Sequence, residues 1–192
     1  LDGKDISNNL YRKFTNEIIE LKEKNIIPGL AVILVGERAD SVAYVNMKHQ
    51  KCQEIGIHST IYKFEEDEAT NNILENKIQE LNQDKLVHGI LIQLPLPKHL
   101  NKDSILSKVS LNKDVDGFHF EKMGRLAIDR NPLFTPCTPD GCIEILKMID
   151  INFVGKKAVV IGKSAIVGLP LSLMLLNLGA TVTICHIDTI NI

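Results

Sequence analysis

The chain has no tryptophan, and aromatic residues make up only 5% of its 192 positions. It therefore lacks the stacked aromatic platform on which many proteins hold single-stranded nucleic acid. Its four cysteines, Cys52, Cys137, Cys142 and Cys185, contain no Cys-x-x-Cys pair. That spacing argues against a zinc site or a disulfide frame and fits incidental thiols in a reducing compartment. No apolar run approaches the roughly 20 residues needed to span a bilayer. Leu1-Asp2-Gly3-Lys4 also shows neither the basic region nor the apolar stretch of a signal peptide. The expected location is cytoplasmic, with no membrane partner. An excess of one charge is missing too: 22 basic against 24 acidic side chains leave a net charge of −2. So even a balance gives no global field to attract nucleic acid or an anionic lipid surface, and any anion site must be local.

What is present is ordinary globular composition, 44% apolar and 24% charged, in a length that suits one large domain or two small ones. Periodicity gives alternating elements. Ile6, Leu10, Phe14, Ile18 and Leu21 recur at helical spacing between Asp5 and Lys24, before Pro28-Gly29. Leu30 to Val35 is a continuous apolar run ending at Gly36, the mark of a strand buried on both faces. A helix is expected over Ser41 to Ile55, closed by Gly56, then a strand over Ser59 to Phe64 and a helix over Thr70 to Leu81. A second buried strand is expected over Gly89 to Leu94, halted by Pro95 and Pro97. Strands separated by helices imply βαβ units and a parallel sheet.

From Lys113 to Pro139 the chain turns rich in Asp, Gly, Asn and Pro, with Pro132, Pro136 and Pro139 close together, and reads as a connection. Thr138 is the expected N-cap of a helix through Met148, with Pro139 in its first position. A buried strand over Ala158 to Ile161, a helix over Val167 to Leu178 and a strand over Thr181 to Cys185 make a fresh βαβ unit. The fold class is α/β, in two lobes: residues 1–118, a connection over 119–138, and the start of a Rossmann-like lobe over 139–192.

Three places could carry chemistry. Gly162-Lys163-Ser164-Ala165-Ile166-Val167-Gly168-Leu169-Pro170 runs from strand to helix through a tight turn, the context a dinucleotide phosphate site needs. In G-x-G-x-x-G register only Gly162 is in place, and Gly168 falls one residue late. A P-loop would require glycine where Lys157 stands, so the ATPase reading is rejected. Lys163 stands where a cation could meet a 2′-phosphate, whereas Asp188 follows the next strand where an acid could accept a ribose 2′-hydroxyl. The sequence points both ways, to NADP and to NAD. In the first lobe, Tyr44 and Lys48 share one helix face, and Gln93 closes an apolar strand at the end where open α/β sheets collect ligand groups. Asp114 and Asp116, in Lys113-Asp114-Val115-Asp116-Gly117-Phe118, could cap a turn or bind a guanidine-like edge.

Five stretches, taken in order, carry a family resemblance: Tyr44-Val45-x-x-Lys48 with Gly56-Ile57, Gly89 to Pro97, Lys113 to Phe118, Pro136-Cys137-Thr138-Pro139-x-Gly141, and Gly162-Lys163-Ser164-x-Ile166-Val167-Gly168-x-Pro170. Together they closely resemble the bifunctional methylenetetrahydrofolate dehydrogenase/cyclohydrolase family, the FolD proteins. The resemblance implies NADP-linked oxidation of 5,10-methylenetetrahydrofolate to the methenyl form and hydrolysis of that product to 10-formyltetrahydrofolate, as part of one-carbon metabolism and purine supply. NAD is the alternative cofactor.

By the same resemblance Lys48 is the catalytic lysine, Gln93 orients it, Tyr44 packs on the folate rings, and Asp116 grips the pterin edge. Val45, Asn46, Met47, Ile92, Leu94 and Pro95 complete the expected folate contacts. Gly162, Lys163, Ser164, Val167, Gly168, Pro170, His186 and Ile187 are the expected cofactor contacts. Proton transfers around a delocalised N–C–N cation suit an amine of lowered pKa, and a carboxylate suits a pterin edge. The resemblance also implies a homodimer.

Two departures stand out. Lys163 replaces a common arginine and keeps charge without the planar fork, and Ile187-Asp188 stands where a serine or arginine often meets the 2′-phosphate. Family members also continue well past the point matching Ile192. The 192 residues are therefore expected to be a fragment or the ordered part of a longer enzyme, since two strands are few for a stable nucleotide-binding sheet. Competing readings are another NAD(P)-linked dehydrogenase, which would need clustered arginines among Arg12, Arg38, Arg125 and Arg130, and a non-catalytic dinucleotide module.

Overall fold

The computed structural model describes residues 2–128 and 134–192. They divide into two compact units, Leu1–Asp114 and Val115–Ile192. Pro132 and Arg130, singled out above, lie outside the described residues.

The amino-terminal unit holds α1 (Gly3–Glu23), β1 (Gly29–Val35), α2 (Ala39–Ile55), β2 (His58–Phe64), α3 (Asn71–Gln83), β3 (Gly89–Ile92) and α4 (Lys102–Ser107). Its three strands are parallel in the order β2-β1-β3, with Leu30 opposite both Ser59 and Gly89. A central strand covered on both faces must be apolar at every position, and Ala31, Val32 and Ile33 are wholly buried. Ala31, Ile33 and Val35 pack with Leu74, Ile78 and Leu81 of α3 and with Ile105 of α4. Helix α2 packs on β1 and β2. Local chemistry sets the boundaries: the Thr70 hydroxyl accepts from the Ile73 amide to start α3, and Gly56, at φ +90°, ends α2 in the left-handed region that favours glycine. Helix α4 was not foreseen; its six residues are too few to show a period, and it is started by the Asn101 side chain accepting from the Ser104 amide. The strand expected to reach Leu94 stops at Ile92. The Gln93 amide still donates to Ile33 O, but the Gln93 side chain then turns to donate to Leu94 O.

The carboxyl-terminal unit holds α5 (Phe120–Ile128), α6 (Cys137–Met148), β4 (Lys157–Ile161), α7 (Gly168–Asn177) and β5 (Thr181–Cys185). Strands β4 and β5 pair in parallel, Lys157 opposite Thr181 through to Ile161 opposite Cys185. Three expectations need correction here. Part of the stretch read as a connection is helix α5: Leu126 and Lys122 are buried, and Leu126 joins Ile143, Val160, Met174 and Leu175 in one core. Phe120, Met123, Leu126 and Ala127 do recur at helical spacing, but the segment is only nine residues long and is set within a stretch dominated by Asp, Gly, Asn and Pro. The N-cap of α6 is Pro136 rather than Thr138, so Pro139 is the third helical residue. That position is still tolerated, because the first amides of a helix have no intrahelical partner to lose. Finally, β4 is not a buried strand. Val160 is buried, but Val159 and Ile161 are 62% and 73% exposed, because the helices join the core on one face of this two-stranded sheet.

Candidate active site and nucleotide turn

In the amino-terminal unit the chain leaves β1 through α2 for β2 on one side, and returns through α3 to β3 on the other. The carboxyl ends of β1 and β3 therefore flank a topological switch point, the place where open α/β sheets bind ligands. Gln93 follows β3 at that point. Because its Nε2 donates to Leu94 O at 2.7 Å, its Oε1 is the atom presented outward. Lys48, from α2, donates to that oxygen at 3.5 Å and lies 4.4 Å from the centre of the Tyr44 ring. Three residues expected to act together are thus together: an amine held between an oriented amide and an aromatic face, with Tyr44 half exposed. One helical turn on, burial pushes the Cys52 thiol pKa up, against the lowering effects of the Ser59 hydroxyl and the Lys48 charge.

The other expected folate contacts differ in what they can offer. Met47 is exposed, while Val45 and Ile92 are buried side chains. Lys113, whose role the sequence did not suggest, anchors the loop that leads to Asp116. Its Nζ donates to Leu81 O and Asp84 O at 2.8 and 2.7 Å, and burial pushes its pKa down. Asn82 completes the clamp, donating to Lys108 O and accepting from the Ser110 amide. Nothing in a lone Lys or Asn announces such bonds, which join residues 26 to 32 positions apart.

In the carboxyl-terminal unit two of the motifs meet. Gly117 has φ +70°, and a Cβ there would lie 2.8 Å from Pro136 N, so only glycine permits the approach. Cys137 Sγ donates to Val115 O at 3.3 Å and lies 3.9 Å from Asp116 Oδ1. Asp116 thus sits half-buried in a turn braced by the start of α6.

The nucleotide turn lies between β4 and α7. A Cβ at Gly168 would collide with Gly162 O, so Gly168 supplies the close helix-to-strand packing that a dinucleotide fingerprint requires, despite its late position. Ser164 organises the turn: its hydroxyl accepts from the amides of Val167 and Gly168, both at 3.2 Å, and its carbonyl accepts from Leu169. The amides of Lys163, Ser164, Ala165 and Ile166 donate to no group among the described residues. The free donors are therefore in the turn rather than in the first turn of the helix, and they fit a pyrophosphate. Pro170 is buried behind the turn, His186 is partly buried, and Ile187 is 96% exposed.

No arginine cluster exists among the described residues. Arg38 pairs with Asp40, Arg125 pairs with Glu121 on its own helix, and Arg12 lies on α1. The fold and the two sites define an α/β protein of the dinucleotide-binding class, with a lysine–amide pair at the switch point of its first sheet. Family models sharpen this. Residues 1–116 match the catalytic domain of tetrahydrofolate dehydrogenase/cyclohydrolase, and residues 136–192 match the NAD(P)-binding domain of the same family.

The chain belongs to the tetrahydrofolate dehydrogenase/cyclohydrolase family, as its motifs led one to expect. It is 49% identical, over its whole length and 66% of the relative's, to the bifunctional protein FolD of Thermodesulfovibrio yellowstonii. Among solved structures it is similar to the FolD methylenetetrahydrofolate dehydrogenase/cyclohydrolase of Campylobacter jejuni, with TM-score 0.96 and 47% identity over 98% of this chain and 66% of that one. It is also similar to the Trypanosoma brucei enzyme complexed with NADP and an inhibitor, with TM-score 0.93 and 34% identity over 98% and 64% of the two chains. The chain spans just under two thirds of the length of these relatives. No helix among the described residues is long and apolar enough to cross a membrane.

Proposed function

We propose that the protein oxidises 5,10-methylenetetrahydrofolate to 5,10-methenyltetrahydrofolate with NADP, or with NAD, and hydrolyses the methenyl form to 10-formyltetrahydrofolate. The observation that carries this reading is the Lys48–Gln93–Tyr44 cluster at the switch point of the first sheet. The unit Leu1–Asp114 and the loop that follows it to Asp116 carry the folate chemistry, and the carboxyl-terminal unit, with α5 in its core, carries the cofactor turn.

Bound NADP would supply the hydride acceptor. The amides of the 163–166 turn and the Gly162–Gly168 contact would hold its pyrophosphate, with Ser164, Val167 and Pro170 shaping the turn, Lys163 near the 2′-phosphate, and His186 and Ile187 beside the adenosine. Oxidation leaves a cationic N–C–N unit in the substrate, and correct placement matters more for that step than an acid does. Water addition and the later collapse of the adduct need proton transfers, which Lys48 Nζ performs. Gln93 Oε1 keeps that amine on the reacting side, and its own orientation is held by the bond to Leu94 O. The open face of Tyr44 receives the folate ring system. Asp116 accepts paired N–H bonds from the pterin's amino-pyrimidine edge. Met47, Asn46, Leu94 and Pro95 border the site, with Val45 and Ile92 supporting it from beneath. The enzyme works in the cytoplasm as a homodimer.

The test is to incubate purified protein with methylenetetrahydrofolate and either cofactor, following the absorbance of the methenyl product and then its loss. Appearance and decay of that absorbance are expected. No turnover with either cofactor would overturn the proposal.

A further inference from the structure

Past β5 the chain reads His186-Ile187-Asp188-Thr189. These residues form a closed turn: the His186 amide donates to Thr189 Oγ1 at 2.8 Å, and the Thr189 amide donates back to His186 O at 2.9 Å. The turn leaves the sheet beside the phosphate turn, because Ile161 and Cys185 are in register and the Gly162 amide donates to Cys185 O at 2.7 Å. Asp188 is held within it. Its amide nitrogen and its Oδ2 each lie 3.3 Å from His186 Nδ1, while its side chain is 75% exposed and Oδ1 meets no group among the described residues. Ile187 offers no donor to a phosphate, and Lys163, exposed across the neighbouring strand end, has no ion-pair partner among the described residues.

We infer that Asp188 is the specificity residue that admits a cofactor lacking the 2′-phosphate, so that NAD competes with NADP for this site. The inference rests on the dinucleotide reading of the carboxyl-terminal unit and adds the choice between the two cofactors. A carboxylate at the end of the second strand of a βαβ unit accepts hydrogen bonds from the adenosine ribose hydroxyls. It also repels a 2′-phosphate. Lys163 acts in the opposite sense: its ammonium attracts that phosphate as a point charge, without the bidentate grip of a guanidinium. Two opposed side chains on adjacent strand ends therefore set the ratio of the two affinities.

The experiment titrates the purified full chain with NADH and with NADPH, following nicotinamide fluorescence, and needs no turnover. Wild-type dissociation constants for the two are expected to lie within about tenfold of each other. Asp188→Ser should weaken NADH and leave NADPH as tight or tighter, moving the ratio toward NADPH by about tenfold or more. Asp188→Asn, which keeps the side-chain size, should move it in the same direction, and Lys163→Ala in the opposite one. An unmoved ratio in both Asp188 variants, or an equal loss of both cofactors, overturns the inference. Wild-type protein that oxidises methylenetetrahydrofolate with both cofactors while the ratio ignores Asp188 overturns this inference alone. Wild-type protein that binds neither NADH nor NADPH overturns it together with the dinucleotide reading.

Discussion

The central strand of the amino-terminal unit and the first strand of the carboxyl-terminal unit look alike as sequence, both short apolar runs ending at glycine, yet they live in different surroundings. Ala31 to Val35 are all buried, whereas β4 is buried only at Val160. The difference follows the elements that join each core. The Lys48–Gln93 contact lies at the carboxyl end of the sheet whose central strand is packed on both faces. The Gly162–Pro170 turn, built on main-chain amides and the Gly162–Gly168 contact, leaves the sheet whose first strand is buried at Val160 alone.

The comparison can be broken in several ways, the largest expected effect first. Leu74 is fully buried against β1, so Leu74→Ala should cost about 2–5 kcal/mol. Tyrosine fluorescence reads this directly, because Tyr11, Tyr44 and Tyr62 all lie in the amino-terminal unit. A urea midpoint that does not move would contradict the packed-core account. Next, Gly168→Ala forces a Cβ against Gly162 O, and overpacking of this kind costs about 1–3 kcal/mol. Loss of NADPH binding and an earlier change in far-UV circular dichroism are expected, with the tyrosine transition unmoved; retained binding would deny the glycine its role. By contrast Ile161→Ala, at a 73% exposed position, should stay within about 0.5 kcal/mol of wild type. A large loss would mean that β4 is covered on its second face. The smallest effect is a rate. Cys137 is exposed, whereas burial raises the Cys52 pKa and so lowers its thiolate fraction at neutral pH, and iodoacetamide should modify Cys137 before Cys52. The reverse order would place Cys52 in the open.

How much of this was legible depended on the range of the interaction. Strand β1 was readable because burial on both faces leaves no polar position, and β5 was placed without error at Thr181–Cys185. The turn from β4 into α7 was legible from strand, glycine and helix in succession, and the proximity of Lys48, Tyr44 and Gln93 agrees with the motifs that single them out. Helix α5 was not legible, since its nine residues lie within a stretch whose Asp, Gly, Asn and Pro dominate the reading, although its apolar positions recur at helical spacing. Nor was the exposure of β4, because an apolar run does not report whether helices cover one face or two. The Lys113–Asn82 clamp and the double bond to the Ser164 hydroxyl depend on atoms brought together only by folding. Proximity in space, rather than residue type, makes these bonds.

The central claim is that the amine held between Gln93 and Tyr44 performs the hydrolytic chemistry. Lys48→Met removes that amine while keeping most of the side chain's length. The decisive measurement compares, in this variant and in wild type, the hydrolysis rate of methenyltetrahydrofolate and the affinity for a folate. The account predicts that binding stays measurable while hydrolysis falls by about 10²- to 10⁴-fold. Hydrolysis at the wild-type rate in Lys48→Met would contradict it.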